Sequence, residues 1–371
     1  MNPWVNGERV KQARELIGLS QTEFARRLNI TQPAVALIEA GRFTPSEELL
    51  NQIAFQTGFP VSFFFKEIRI DFPMGSLLFR SKMQASVKEK TKVYRSAQLI
   101  YELTDTFLAR VRGLPVRISK LDVDPAEAAR LTRSALGLSP DRPIPRLIYT
   151  LENAGVVIIS LPVYSNSIDA FSCWVGTGTV RPVIALTEGW PGDRQRFSLA
   201  HELGHLVLHG SYHGTGIDVE QEANDFAAEF LVPEQAIREE LTTPVRLKDL
   251  LEVKKRWGVS VQFLVLRAYR LGLITQRQYK YLYQQIGAKG WRQKEPIDIP
   301  VEKPRLLRQL VETTYGVPMN FKQVASDTQL PSRFVENTLL GYLGKDPAHP
   351  ITSESGKIVA FPGRDKSTGA N

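Results

Sequence analysis

A chain of 371 residues is long enough for two or three domains with proper cores, and its composition, 43% hydrophobic and 23% charged, is that of an ordinary globular protein. No apolar run approaches the roughly 20 residues of a membrane span, and the single cysteine, Cys173, excludes an intramolecular disulfide and a cysteine-based zinc site. The start, Met1 to Asn6, lacks the basic and apolar pattern of an export signal, so the expectation is a cytoplasmic protein with no membrane partner; a net charge of +8 is compatible with a nucleic-acid partner without requiring one.

In chain order, apolar residues at helical spacing (Val10, Ala13, Leu16, Ile17) predict a first helix that Gly18 ends. Ser20 caps a second, Gln21 to Leu28; Thr31 caps a third that ends near Gly41; Ser46 caps a fourth that runs to about Thr57. Short helices joined by tight turns read as a helix-turn-helix. The runs Leu19-Ser20-Gln21, Phe24-Ala25, Ile30-Thr31-Gln32 and Ile38-Glu39 with Gly41 resemble the phage-repressor-like (XRE) family. The resemblance implies a double-stranded operator as partner, with the third helix in the major groove. Gln21, Thr31 and Arg42 would lie near phosphates, with Gln32 and Ala34 at the base edges; Gln32 can pair with adenine. Arg14 and Glu39 occupy the positions of an inter-helical ion pair. Such heads commonly dimerise on palindromic sites.

A basic run, Arg80, Lys82, Lys88, Lys90, Lys92 and Arg95, leads into an amphipathic helix from about 87 to 112, either a phosphate-touching connector or a solvated face. Helices at 125–136 and 145–153 follow. Gly155 to Leu161, Phe171 to Val175 and Pro182 to Leu186 read as strands, the last two joined by a glycine-rich turn at 176–178, which predicts a small antiparallel sheet.

The helix after the sheet carries His201-Glu202-Leu203-Gly204-His205. Histidines four apart share one helix face and can grip one zinc ion, with Glu202 beside it as a candidate general base. A catalytic zinc takes three protein ligands and keeps one open position. His209, His213, Glu220, Glu222 and Glu229 are the nearby candidates. His209 stands eight residues, about 12 Å of helix rise, from His201, too far to share its ion. On the next helix, Glu220 to Leu231, only Glu220 shares the apolar face of Ala223, Asn224, Ala227 and Leu231, whereas Glu222, Asp225 and Glu229 are expected on the polar side. A carboxylate on an apolar face needs a cation, so Glu220 is the expected third ligand and Asn224 the residue that orients a histidine. Tyr164, Tyr212 and His213 are candidates to stabilise an oxyanion.

Arg194 to His205, followed by Glu220, Ala223-Asn224, Phe226-Ala227, Leu231 and Pro233, resembles the ImmA/IrrE family of zinc metallopeptidases, as does Ile168-Asp169-Ala170-Phe171 before the site. The resemblance covers about 120–270. It implies Zn2+ on His201, His205 and Glu220, Glu202 as catalytic base, and a repressor or antitoxin-like protein as substrate. The alternative is a regulator or antitoxin whose metal domain senses a signal or grips a partner without cutting it.

Three helices, 247–257, 260–271 and 275–286, finish this part. Residues 289–303 read as a polar linker. Helices at 305–315, 321–327 and 332–342 read as a helical cap or partner-docking element, the last two with only a faint helix-turn-helix pattern, and no internal repeat stands out. The expected fold is mainly α with a small antiparallel sheet (α+β), divided into an all-α helix-turn-helix head (1–70), a linker and connecting helix (71–119), a zincin-like metallopeptidase domain (120–288), a helical C-terminal region (289–352) and a flexible tail (353–371).

Overall fold

The computed structural model describes residues 4–68, 70, 72–73, 86–110, 114–164, 167–176, 180–210 and 217–342. Arg80, Lys82, residues 177 and 178 of the predicted turn, and the predicted tail lie outside them. The fold is mainly helical with one three-stranded sheet.

The head comprises α1 (Gly7–Leu16), α2 (Gln21–Leu28), α3 (Gln32–Glu39) and α4 (Glu47–Thr57), closed by a 3-10 turn, Val61–Phe65. Each predicted N-cap makes its bond: Ser20 forms a capping box with Glu23, Thr31 accepts from the Ala34 N–H, and Ser46 from that of Leu49. The Arg14 guanidinium grips Glu39 through two bonds of 2.5 and 3.0 Å, which fixes α1 against α3.

The connecting helix α5 (Val87–Leu108) is buried along most of its length. Arg95, read in sequence as part of a basic run, points inward instead: it bonds Glu8 at 2.5 Å and Glu15 at 2.6 Å on α1. A buried guanidinium needs such partners, so Arg95 ties the head to α5 rather than reaching phosphates. Beyond α5 lie α6 (Pro125–Ala135) and α7 (Leu147–Asn153).

The sheet comprises β1 (Val157–Tyr164), β2 (Ala170–Val175) and β3 (Arg181–Glu188) in the order β1-β3-β2. It is mixed rather than antiparallel: β2 and β3 form the expected antiparallel pair, but β1 runs parallel to β3. The most continuously buried strand, β3, takes the centre, where both faces are covered. The chain must therefore cross it between β1 and β2, which sets β1 and β3 in the same direction. The β1–β3 register shifts between Ser160 and Tyr164, around Pro162, which has no N–H for the ladder.

Strand alternation then sorts the core into two layers. Val157, Ile159, Phe171, Cys173, Val183 and Ala185 join a core with the head, α5 and the C-terminal helices. Ile158, Ala170, Ile184 and Leu186 join the core of the helices that follow β3. Those are α8 (Gly192–Gly204), continued by a π-helical turn His205–His209, then α9 (Ile217–Leu231), α10 (Glu234–Glu240), α11 (Leu247–Trp257), α12 (Val261–Arg270) and α13 (Gln276–Ala288). The last three helices are α14 (Leu306–Tyr315), α15 (Phe321–Thr328) and α16 (Ser332–Gly341).

The segment between α13 and α14 reads as a polar linker but crosses the start of α8 as a strap. A Cβ on Gly192 would lie 2.3 Å from the Ile299 carbonyl oxygen, so only glycine admits this crossing. Its carboxylates occupy orphan N–H groups at distant helix starts: Glu295 accepts from Val261 and Gln262 of α12, and Glu302 from Ile148 of α7. In return, Glu152 at the end of α7 accepts from the Arg305 and Leu306 N–H groups at the start of α14.

Full burial pushes the Glu152 carboxyl from its ordinary 4.5 to about 7, against the opposing effect of these N–H bonds. A raised carboxyl pKa stabilises the fold below pH 4.5, and that contribution is lost as pH climbs through about 7, amounting to about 3 kcal/mol. Urea unfolding of wild type and Glu152→Gln at pH 5 and pH 8 should show the stability difference moving in favour of the variant by about 2–3 kcal/mol at the higher pH. Parallel pH profiles would contradict the assignment.

Candidate metal centre

The chain brings His201, His205 and Glu220 to one point as a group that could hold a metal ion. The two imidazole Nε2 atoms lie 3.0 Å apart, and the Glu220 oxygens lie 3.5 Å from His201 Nε2 and 3.4 Å from His205 Nε2. Donors about 2.05 Å from a tetrahedral ion stand about 3.3 Å from one another, so this spacing fits a zinc-sized cation. Both histidines are 2% exposed, whereas the Glu220 side chain is 40% exposed, which leaves the approach to the group on the Glu220 side. The adjoining His201 and His205 rings hold the Glu220 carboxyl far below the usual carboxylate range.

Close helix packing sets this geometry. The contact between α8 and α9 has no side chain at its centre: a Cβ on Gly204 would meet Phe226 at 3.1 Å and the Ala223 backbone at 3.2 Å. Ala223 and Ala227 are fully buried against it, as their small size implies.

Each histidine is aimed by a partner. His201 Nδ1 lies 2.9 Å from Asn224 Oδ1, one turn beyond Glu220, so the N–H is on Nδ1 and the Nε2 lone pair faces the group. His205 Nδ1 lies 3.1 Å from His209 Nδ1, and His209 Nε2 lies 2.8 Å from Glu222. His209 thus stands outside the metal group yet orients one of its members. The π-helical turn carries it there, with the Gly210 N–H bonding the His205 carbonyl five residues back. Burial lowers the His209 pKa against the pull of Glu222, which keeps the ring neutral enough to accept from His205. Glu222→Ala should weaken metal affinity about tenfold and Asn224→Ala nearer a hundredfold, read by competition with a chromophoric chelator. Unchanged affinity in both would sever these contacts from metal binding.

Glu202 is fully buried, and its Oε2 accepts from the Ser172 hydroxyl at 2.7 Å. Ser172 was not singled out in sequence; its signal is a polar residue at an inward position of an apolar strand. Next along the strand, Trp174 donates to the Leu206 carbonyl at 3.1 Å, fixing β2 against the π turn. Asp169 receives Arg194 through bonds of 2.6 and 3.0 Å, with the Arg194 guanidinium 3.7 Å above the Trp190 ring. Beside the metal group a cavity of about 930 Å³ opens, lined by Trp190, Phe197, Asn224, Phe263, Tyr283 and Trp291 among others.

One expected orientation is corrected. Glu229 does not face solvent: it is 3% exposed and pairs with Arg267 of α12, because that helix covers what sequence alone leaves as an open face of α9. Asp225 does face outward and pairs with Arg270 at 2.7 Å. Tyr212, His213 and the side chain of Tyr164 lie outside the described residues.

In the head, Gln32 donates to Gln21 at 2.8 Å, Gln21 donates to Glu39 at 2.8 Å, and Glu39 is held by Arg14. The Gln32 amide is thereby fixed at the exposed start of α3. Thr31 caps α3, Ala34 is half-buried one turn in, and Arg42 is exposed just past its end.

Comparison with known families finds two matches along the chain. Residues 10–63 match the helix-turn-helix family, and residues 151–269 match the IrrE N-terminal-like domain of peptidase family M78. No curated protein matches the chain. The chain therefore carries a helix-turn-helix DNA-binding domain and an M78 metallopeptidase-like domain with a His-His-Glu group suited to a metal. Among the described residues no helix is long and apolar enough to cross a membrane.

Proposed function

We propose that this protein is a DNA-binding regulator whose second domain is a zinc endopeptidase acting on a repressor or antitoxin-like partner. The observation that carries the reading is the convergence of His201, His205 and Glu220 beside a buried Glu202, on a chain whose head matches a helix-turn-helix family. Two histidines and a carboxylate are the donor set of a hydrolytic zinc with an open position. When bound there, zinc supplies Lewis acidity and makes water a competent nucleophile at neutral pH.

The chain's own groups do the rest. Glu202, adjacent in sequence to His201 and held by the Ser172 hydroxyl, takes the proton of the attacking water and delivers it to the leaving amine. Asn224 and the His209–Glu222 pair keep both imidazoles turned to their task. The neighbouring cavity combines aromatic walls with charged groups such as Arg194, Lys254, Arg267 and Glu295, which suits an extended peptide of mixed side chains. In the head, Gln32, held by Gln21, would pair with adenine, while Gln21, Thr31, Ala34 and Arg42 would complete the contacts to the operator.

The test begins with the purified chain. Elemental analysis should find about one zinc per chain, and co-expressed repressor-like partners should be cleaved until a chelator strips the metal. Zinc at full occupancy with every partner left intact, together with normal operator response, would favour a metal-holding sensor that cuts nothing.

A further inference from the structure

We propose that residues 305–342 form a second helix-turn-helix, and that its third helix, α16, reads double-stranded DNA. The proposal rests on the second and third helices of the head, whose geometry reappears in α15 and α16 at an offset of 300 residues. α1, α2 and α3 start at 7, 21 and 32; α14, α15 and α16 start at 306, 321 and 332.

The correspondence extends to the turn that defines the motif. Among the described residues, two non-glycine positions have positive φ: Asn29 (54°) and Gln329 (58°). Each ends the second helix of its unit in the left-handed conformation. Ile30 N–H bonds the Ala25 carbonyl at 3.0 Å, and Leu330 N–H bonds the Ala325 carbonyl at 3.0 Å. Before each turn an N-cap accepts from the third residue on: Ser20 from Glu23 at 3.1 Å and Asn320 from Gln323 at 3.2 Å. After it, Val35 bonds back to Thr31 and Val335 to Pro331. A non-glycine left-handed residue costs about 1 kcal/mol. Two of them stand at matching sites, each between the second and third helices of its unit.

Side-chain burial follows the same plan. Phe24, Ala25, Leu28, Val35 and Ile38 face the head's core; Val324, Ala325, Thr328, Val335 and Thr338 are buried at the equivalent sites. Few identities survive, which is why no repeat is visible in the sequence. What is preserved is which positions are inside, and that is what fixes the angle between the helices.

The exposed edge of α16 is better equipped to read bases than that of α3. At its exposed positions α3 offers Gln32, Pro33 and Leu37, whereas α16 offers Ser332, Arg333, Glu336, Asn337 and Leu340. Arg333 suits guanine O6 and N7, Asn337 suits adenine N6 and N7, and Glu336 can accept from cytosine N4. Charge alone does not hold this unit on DNA, because Arg305, Arg308, Lys322 and Arg333 face Glu312, Asp327 and Glu336. Recognition therefore depends on shape and base contacts, as it does in the head.

The two units are fixed to one another. Both pack in the same core with α5, and Lys66, just past the head, donates to the Thr328 carbonyl at the end of α15 at 2.9 Å. Phe107 of α5 meets Tyr315 of α14 edge to face, with ring centroids 6.1 Å apart. Both units are thus carried by one shared core.

The test is selection of bound duplexes from a random pool by the full chain, followed by footprinting of wild type, Arg333→Ala/Asn337→Ala, and Gln32→Ala/Arg42→Ala. Matched thermal unfolding would show that these exposed changes leave the fold intact. Two protected segments are expected, one lost with each double variant, and affinity should fall about 10- to 100-fold for Arg333→Ala/Asn337→Ala. A full footprint with affinity within about twofold of wild type in that variant would overturn the proposal. So would a loss of self-association with no change on DNA. If instead the head variant binds normally while Arg333→Ala/Asn337→Ala abolishes binding, the reading of the head fails and that of α16 stands.

Discussion

Glu202→Gln is expected to cut peptide hydrolysis by about 10³-fold or more while leaving metal content unchanged. Glutamine has the same shape, and the side chain is fully buried with the Ser172 hydroxyl 2.7 Å from one oxygen, so the amide can be held in the same place. What it cannot do is carry a proton from water to an amine. Neither His201, His205 nor Glu220 depends on that charge for its position, because each is oriented by Asn224, by His209 or by the pair of histidines. Zinc stoichiometry and single-turnover cleavage of a partner should be measured on the same sample. Turnover at the wild-type rate would remove Glu202 from the chemistry; joint loss of zinc and turnover would make it structural.

The largest expected effect on stability is at the strap. Glu302 accepts from Arg196 Nη1 at 2.7 Å and from the Ile148 N–H at 2.8 Å, and its backbone exchanges two bonds of 2.9 Å with the Gln195 side chain. The Arg196 side chain is 5% exposed, and burial already lowers its pKa. Removing the carboxylate in Glu302→Ala strands that guanidinium and uncaps α7, which should cost about 3–5 kcal/mol in urea unfolding. Glu302→Gln offers one acceptor oxygen where the carboxylate offers two, so it keeps only one of these contacts and should recover only part of that loss. A loss below about 1 kcal/mol in the alanine variant would mean that the strap is not a structural tie. Because Arg196 precedes His201 by five residues on α8, metal affinity should fall with stability.

Much of the site is legible in the sequence because it is local. His201, Glu202 and His205 share one helix, and the phase of the next helix singles out Glu220 and Asn224 without reference to anything else. What is hidden depends on contacts far apart in the chain. Ser172 stands thirty residues from Glu202, and only the packing of β2 on α8 joins them. Glu229 reads as a solvent-facing acid because Arg267 lies thirty-eight residues on. Helix rise sets His209 apart from His201, but its link to Glu222 needs the π turn, which no residue type announces. The sheet shows the same limit: three strands are visible as apolar runs, whereas the parallel pairing of β1 with β3 follows from which strand takes the centre.

Strand β2 has a consequence for genetics. Along six residues, Ser172 and Trp174 hold Glu202 and the π turn on one face, while Phe171, Cys173 and Val175 belong to the core shared with the head and the C-terminal helices. A change at Phe171 or Cys173 touches neither metal nor DNA, yet it moves the strand on which Ser172 sits. Second-site suppressors of defects in either function should therefore collect on these buried positions, and alleles there should alter both phenotypes together.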